Sequence, residues 1–438
     1  MRGAVIFGNT YPGNTSSRRG YLALAAVALA ALAAALIVVA ATASSNAAGK
    51  TSAKAHSAFA QQCPDRFPDQ RDPSNPLMLP AAPGSDPLHG ANFFVDGPRH
   101  GAAAAAIASL VGLNPKNYKD DYSWIRFQDS LTRGSVADKL AHNPGLAHKV
   151  QMLAKIASQP ESQRISIYSE GGSPAGIFGQ TQKIFCHNLT ADPGSIPVFT
   201  TYFLHPAVGG CATRSQLSAA GPDFRNRIDA MAAATGNRPA VFLLEIDGVG
   251  SSRCMQKTGA LSIWEADLKY EATKMGSLPH TVVYLEGGYS DANPPGYTAK
   301  VLNASGVRSI RGFFTNDTHI NWTIDEIHWA EKVSAKTGGA SFIVNTAQNG
   351  NGPLRPHNRV KNGNEVLCNP PGRAMGPPPT TTTGFAHADA FLWTGPPGNS
   401  SGSCNGGTSA GTFWAARGIE LASRAQAKLG PGFPADRY

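Results

Sequence analysis

The sequence predicts an α/β protein built on a parallel sheet, with its site at the carboxyl ends of the strands. Three observations carry that expectation. Val241–Gly250 reads VFLLEIDGVG, an apolar run as in a strand buried on both faces, which breaks into Glu245, Ile246, Asp247 and Gly248. Strand-like and helix-like stretches alternate through most of the chain. Polar, glycine-rich sequence follows the strand ends, where barrel-like and doubly wound folds place their chemistry. The carboxylates leaving Val241–Leu244 either carry such chemistry or only stabilise a turn or cap a helix, and this stretch alone supports both readings.

The elements follow in order. Arg18 and Arg19 precede Tyr21–Ala43, an uncharged segment long enough to span a bilayer. The flanking arginines place its start in the cytoplasm. The expected organisation is therefore a cytoplasmic tail over 1–20, a transmembrane anchor or signal peptide over 21–43, and an exported remainder. Small residues after the segment (Ala41, Ala43, Ala47, Ala48) fit either cleavage or retention. Residues 44–84, rich in Ala, Ser and Pro, read as a linker or lead-in, and 85–438 as one domain. Within it Ala91–Val95 is a short strand candidate, Ala102–Leu110 an Ala-rich helix, and Leu146–Ala157 a helix with Pro160 beyond its end. Ile196–Leu204 reads as a buried strand and Phe224–Ala234 as a helix. After the strand at Val241 come a helix over Leu261–Lys274 and a strand over Thr281–Leu285 that ends in Glu286. Ala299–Ser305 is helical, Ile310–Phe314 extended, Ile324–Thr337 helical and Ala340–Asn345 a strand. Ala390–Trp393 is a short strand and Gly411–Ala425 the last helix.

Composition narrows the function. Hydrophobic residues make up 42% of the chain, enough for a core, and 47 Gly with 32 Pro imply many shaped loops. The net charge of +9 is spread thinly, without the dense Lys/Arg cluster of a nucleic-acid face. None of the six cysteines sits in a CxxC pair, which disfavours a zinc ribbon or thioredoxin-type site. An even number in an exported chain predicts three disulfides, with the pairing left open.

From Ile196 onward the order of motifs resembles glycoside hydrolase family 6, the cellulose-degrading endoglucanases and cellobiohydrolases. Cys368–Gly384 (CNPPGRAMGPPPTTTTG) is similar to that family's W-C-N-P-P-G-R-A-L-G, and Asp389–Gly402 (DAFLWTGPPGNSSG) to D-A-[FY]-L-W-[VI]-K-P-P-G-E-S-D-G. Phe342–Gly350 (FIVNTAQNG) resembles F-V-I-D-T-S-R-N-G, Tyr284–Ser290 (YLEGGYS) Y-L-D-A-G-H-S, and Gly312–Asn316 (GFFTN) G-F-[AS]-[TL]-N. Leu244–Asp247 (LEID) is similar to I-E-P-D, and Tyr202–Cys211 (YFLHPAVGGC) is a longer relative of Y-D-L-P-x-R-D-C. The resemblance implies a distorted, TIM-barrel-like β/α barrel of seven parallel strands, with a cleft or tunnel for a β-1,4-glucan chain. It implies no cofactor and no metal. A monomer is expected, touching the membrane through its amino-terminal helix alone. The resemblance also implies the disulfides Cys211–Cys254 and Cys368–Cys404. The even count then leaves Cys63 with Cys186.

Hydrolysis with inversion needs one carboxyl to protonate the leaving oxygen and a second to activate water from the opposite face, about 6.5–9.5 Å away. Asp247 matches the family's general acid. Glu245, two residues earlier, would project from the same side of an extended strand and hold neighbouring groups in place. Tyr202 matches a tyrosine that crowds the sugar at the cleavage point, or else fills the barrel. Glu286 and Asn316 fall on positions lining the cleft, Glu286 in place of Asp. Asn345, Asn399 and Ser401 stand where the family has Asp, Glu and Asp, and are expected to contact substrate. The last of these is the position usually proposed as the base. Further departures are Gly210 for an Asp that helps keep the acid protonated, Gly395 for Lys, Gln348 for Arg, Tyr289 for His and Leu367 for Trp. Trp264, Trp322, Trp329 and Trp393 are expected in the core.

The expected function is thus an exported β-glucan hydrolase with Asp247 as acid, and with water deprotonated through other waters or by another carboxylate such as Asp317. Ser401 would make it slow on ordinary cellulose. The alternative is a catalytically impaired relative that binds carbohydrate at the cell surface, and the plainest reading is a secreted protein that keeps the fold without sugar affinity. One prediction concerns the cysteines, since each native disulfide contributes about 2–4 kcal/mol. Thiol counting under denaturing, non-reducing conditions should find none free, and two reactive thiols would contradict the Cys63–Cys186 pair.

Overall fold

The computed structural model describes residues 85–119, 121–209, 211–354 and 367–431. Seven strands lie side by side in chain order: β1 (Gln163–Ser166), β2 (Val198–Tyr202), β3 (Ala240–Leu244), β4 (Thr281–Glu286), β5 (Gly312–Thr315), β6 (Ser341–Asn345) and β7 (Ala388–Leu392). Every neighbouring pair is parallel. All five residues of β3 are buried, as its continuous apolar run requires. The strands curl into the expected distorted barrel. Between β7 and β1 there is no ladder; the Ser162 N–H donates to the Trp393 carbonyl at 3.0 Å and Ser162 Oγ to the Thr394 carbonyl at 2.6 Å. These bonds set the start of β1 beside the carboxyl end of β7.

Side-chain alternation sorts the sheet into two faces. Val198, Val241, Leu243, Val282, Tyr284, Phe314, Ile343 and Ala390 pack together with Leu88 and Phe93 inside the curl. Phe199, Phe242, Leu244, Leu285, Phe313, Phe342 and Val344 pack outward against the helices. Buried polar groups tie strands across the interior: Tyr284 Oη donates to Asp389 at 2.6 Å, and Arg311 grips the same carboxylate with two bonds of 2.7 Å. Helices Ala102–Val111, Trp124–Leu131 and Pro144–Ala157 contribute to a third apolar cluster with Trp393, on the seam side.

Several expectations change in detail. Ala91–Val95 forms only a single bridge, Phe93 with Ile196. The strand expected over Ile196–Leu204 stops at Tyr202, and Leu204–Val208 is a short helix. The helix expected over Phe224–Ala234 runs over Arg214–Thr235, started by a capping box of Thr213 and Gln216 and continuing through Pro222. Trp264 and Trp393 are fully buried, Trp329 nearly so, and Trp322 packs partly buried against the core. Cys211–Cys254 and Cys368–Cys404 are formed. Cys186 is also disulfide-bonded. Its expected partner Cys63, the segments 1–20, 21–43 and 44–84, and Gly210 lie outside the described residues. Among the described residues no helix is long and apolar enough to cross a membrane.

Candidate active site

Three of the six non-glycine residues in left-handed backbone among those described follow the ends of β3 and β5: Glu245 (φ 51°), Asp247 (φ 62°) and Asn316 (φ 66°). Such a conformation costs on the order of 1–3 kcal/mol, least for Asn and Asp, and persists where surrounding bonds over-determine it. Those bonds are present. The Glu245 N–H donates to Thr201 Oγ1 at 2.8 Å, and its carboxylate accepts the N–H groups of Phe203 at 2.7 Å and Leu204 at 2.9 Å. Asn316 donates from Nδ2 to the carbonyls of Asn321 and Asn345, and its Oδ1 accepts the Asn321 N–H. The turn at Glu245 corrects one expectation. Glu245 and Asp247 do not share one side of an extended strand, because β3 ends at Leu244. Glu245 is fully buried and secures the exit of β2, while Asp247 turns toward Tyr289.

Asp247 Oδ1 accepts Tyr289 Oη at 2.7 Å and Thr318 Oγ1 at 3.2 Å. Its N–H points at Asp317 Oδ2, 3.4 Å away. Tyr289 is held flat against His319, with ring centroids 3.7 Å apart, and His319 Nδ1 lies 2.8 Å from Asp291. Gly250 makes room for that tyrosine, since a Cβ there would come within 2.9 Å of its ring. Asp317 therefore sits against the main chain of Asp247. Burial, and then the charge of Asp247, push the Asp317 carboxyl up to about 7.

The same low-dielectric setting affects the neighbouring groups. Burial, then the charge of Asp317, holds Glu286 well above the carboxylate range although it accepts the N–H groups of Gly250 and Gly288. Burial raises Glu245 to about 7 against its own backbone hydrogen bonds. Tyr202, at the end of β2, is pushed up by burial and by Asp247 and Glu245. Arg164 on β1 completes the group: burial lowers it, while Asp317, Tyr202 and Asp247 favour its charge. Six strand-end side chains from β1 to β5 thus converge. Together they can hold and deliver a proton beside a cation.

Among the residues expected from sequence, the structure brings Asp247, Tyr202 and Glu286 together. Asn316 is fully buried and Asn345 is 5% exposed. Asn345 donates to the carbonyls of Asn316 (2.9 Å) and Asp317 (3.2 Å), so both amides brace the turn that carries Asp317. Asn399 is half-buried and Ser401 exposed, on the loop after β7. The Ser401 N–H donates to Asn369 Oδ1 at 2.8 Å, beside the Cys368–Cys404 bridge. No hydrogen bond joins Asn399 or Ser401 to Asp247. Asp317, expected as a stand-in base, has its Oδ2 3.4 Å from the Asp247 N–H. Sequence reading missed Arg164 because it missed β1. The alternation in Gln163–Ser166 after Pro160 was the available signal.

A parallel barrel with a buried carboxyl cluster at its strand ends is an architecture of carbohydrate-cleaving enzymes, and the chain belongs to glycosyl hydrolases family 6, whose profile matches residues 147–425. The chain is 31% identical over 287 residues to endoglucanase 1 of Streptomyces sp. (strain KSM-9), covering 64% of this chain and 74% of that protein. It is 26% identical over 303 residues to endoglucanase A of Cellulomonas fimi, covering 68% of this chain and 61% of that protein. The chain thus spans about three-fifths to three-quarters of the length of these curated relatives. Among solved structures, an endoglucanase from Mycobacterium tuberculosis aligns with TM-score 0.60 and 28% identity, over 78% of this chain and 99% of that one.

A stability prediction follows from Glu245. Glu245→Ala leaves two buried N–H donors without acceptors, each worth about 1–3 kcal/mol. Urea unfolding should show a loss of about 2–5 kcal/mol, and Glu245→Gln a smaller one. A loss under about 0.5 kcal/mol would mean that Glu245 does not hold the β2 exit.

Proposed function

We propose that this protein is an exported glycoside hydrolase that cleaves β-1,4-glucan or a related polysaccharide, with Asp247 as the proton donor. The observation that carries the reading is the placement of Asp317 against Asp247. A general acid of this kind must keep a proton near neutral pH, and a buried like charge beside it opposes ionisation. The family Asp whose position is Gly210 is absent, and here Asp317 is the group that holds a proton near neutral pH. Burial and the charge of Asp247 raise it to about 7, and it lies against the Asp247 main chain, so the pair carries one shared proton that Asp247 can deliver. As the bond from C1 to the leaving oxygen breaks, Asp247 gives its proton to that oxygen. Water adds to C1 from the opposite face, giving inversion, and its proton returns through solvent to the acid. Tyr202 crowds the sugar at the cleavage point, while Glu286 and the Asn316–Asn345 pair fix the walls. Export rests on the apolar segment 21–43 and on the family's exoglucanase and endoglucanase relatives.

The second reading, a weakly active carbohydrate-binding relative, is favoured by Ser401. It is exposed, carries no carboxylate, and cannot deprotonate water at neutral pH without a partner. A hydrolysis screen over soluble β-glucans, xylan and xyloglucan, with Asp247→Asn as control, separates the two. The enzyme reading expects measurable turnover that falls by about 10²–10⁴-fold in Asp247→Asn. Binding without turnover on every polymer would favour the second reading, and an Asp247→Asn variant as active as wild type would remove Asp247 as the acid.

A further inference from the structure

Arg164 has a setting that proton donation does not require. It projects from β1 into the strand-end cluster, open to solvent at its surface yet enclosed enough that burial works against its charge. Among the described residues nothing accepts a hydrogen bond from it, and no carboxylate lies within ion-pair distance; Asp317 and Asp247 act on it only at longer range. A guanidinium carries five N–H donors in a fork that matches a carboxylate, so an unused one at a cleft is a ready oxyanion site.

A second donor meets it. Gly395 follows β7, and the Ser162 bonds to Trp393 and Thr394 set it beside the start of β1. A Cβ at Gly395 would lie 3.6 Å from Arg164 Nη2 and 3.3 Å from Asn399 Nδ2. Two nitrogen donors thus approach the same point over Gly395, where no side chain stands between them, and the Asn399 amide also has no acceptor among the described residues. On the loop after β7 the neighbouring positions carry no carboxylate: Gly395 has no side chain, Asn399 an amide and Ser401 a hydroxyl. Burial raises Glu286 and Asp317, so these carboxyls of the cluster carry less charge than free ones would, although Asp317 and Asp247 still favour the guanidinium's charge. The formal charge of +9 on the whole chain acts in the same direction on an approaching polyanion.

We infer that Arg164 and Asn399 bind a carboxylate borne by the sugar chain over Gly395, so that the substrate is an acidic, uronate-bearing β-linked glucan. This deepens the glycosidase reading of the same cleft and rests on it. Were Arg164 only a counter-charge for Asp317 and Asp247, its loss would affect neutral and acidic substrates alike.

The test uses cello-oligosaccharides oxidised at C6 to glucuronate, neutral oligomers of the same length, and sulfated oligomers. Binding is measured calorimetrically in an Asp247→Asn background, and kcat/KM with Asp247 intact. Oxidised oligomers should bind about tenfold to a hundredfold more tightly than neutral ones, the range of one charge-assisted hydrogen-bonded pair, and the preference should shrink with added salt. Arg164→Gln should abolish that preference, and Arg164→Lys, which keeps charge but not the fork, should restore part of it. The ratio of kcat/KM on oxidised to neutral oligomers should fall by a similar factor in Arg164→Gln. Equal binding of oxidised and neutral oligomers, or a preference that survives Arg164→Gln, would overturn the inference. Equal Arg164-dependent binding of the sulfated oligomers would overturn the assignment to a carboxylate. An Arg164-dependent preference without hydrolysis of either oligomer would uphold the binding site and count against the glycosidase reading alone.

Discussion

Asp247 and Asp317 reach one point from the ends of β3 and β5, and the ionisation of Asp317 is opposed by the charge of Asp247. The chemistry proposed for the chain depends on that repulsion. It arises only where water is excluded, because in bulk solvent two carboxylates a few ångströms apart interact by about 1 kcal/mol and screen readily. The barrel supplies the exclusion. Strands β2 to β7 are buried almost throughout, so side chains at their carboxyl ends emerge over packed apolar residues.

Holding charges there has a conformational cost, met by bonds that converge on each strained residue. Glu245 links the exits of β2 and β3 and sets the turn that aims Asp247. Asn316, Asn321 and Asn345 form a mutual bracket around Asp317. Glu326 anchors the loop behind Tyr289, accepting the Ser290 N–H and hydroxyl and the Asn321 amide. Small displacements at these supports would move the acid before they unfolded the domain, since the apolar core is not what positions it.

How much was legible in the sequence follows from which signals are local. β3, β4 and β6 announce themselves as apolar runs, and Asp247 and Glu286 stand out because each follows such a run, while Tyr202 is legible through the resemblance of Tyr202–Cys211 to the family motif. β1 is four residues long and partly exposed, so no run marks it, and Arg164 went unread with it. Asn316 and Asn345 lie where a cleft residue should, yet their buried bracing depends on hydrogen bonds between separate strands. Asp317 is the sharper case. Position 210 reads as a lost carboxylate, but the carboxylate that faces the acid comes from 70 residues beyond it in sequence, through a left-handed turn that no periodicity encodes.

The central claim is that Asp317 keeps the acid supplied with its proton, and the pH dependence of kcat/KM tests it most directly. Donation needs the proton, so activity falls as pH rises past the point where the pair loses the one it shares, which burial and the charge of Asp247 hold on Asp317 up to about 7. Replacing Asp317 with Asn removes the charge and keeps the shape. The alkaline limb of the profile should then move to lower pH on the same β-glucan, with the acidic limb less affected. An alkaline limb that stays in place, or moves to higher pH, would contradict the account.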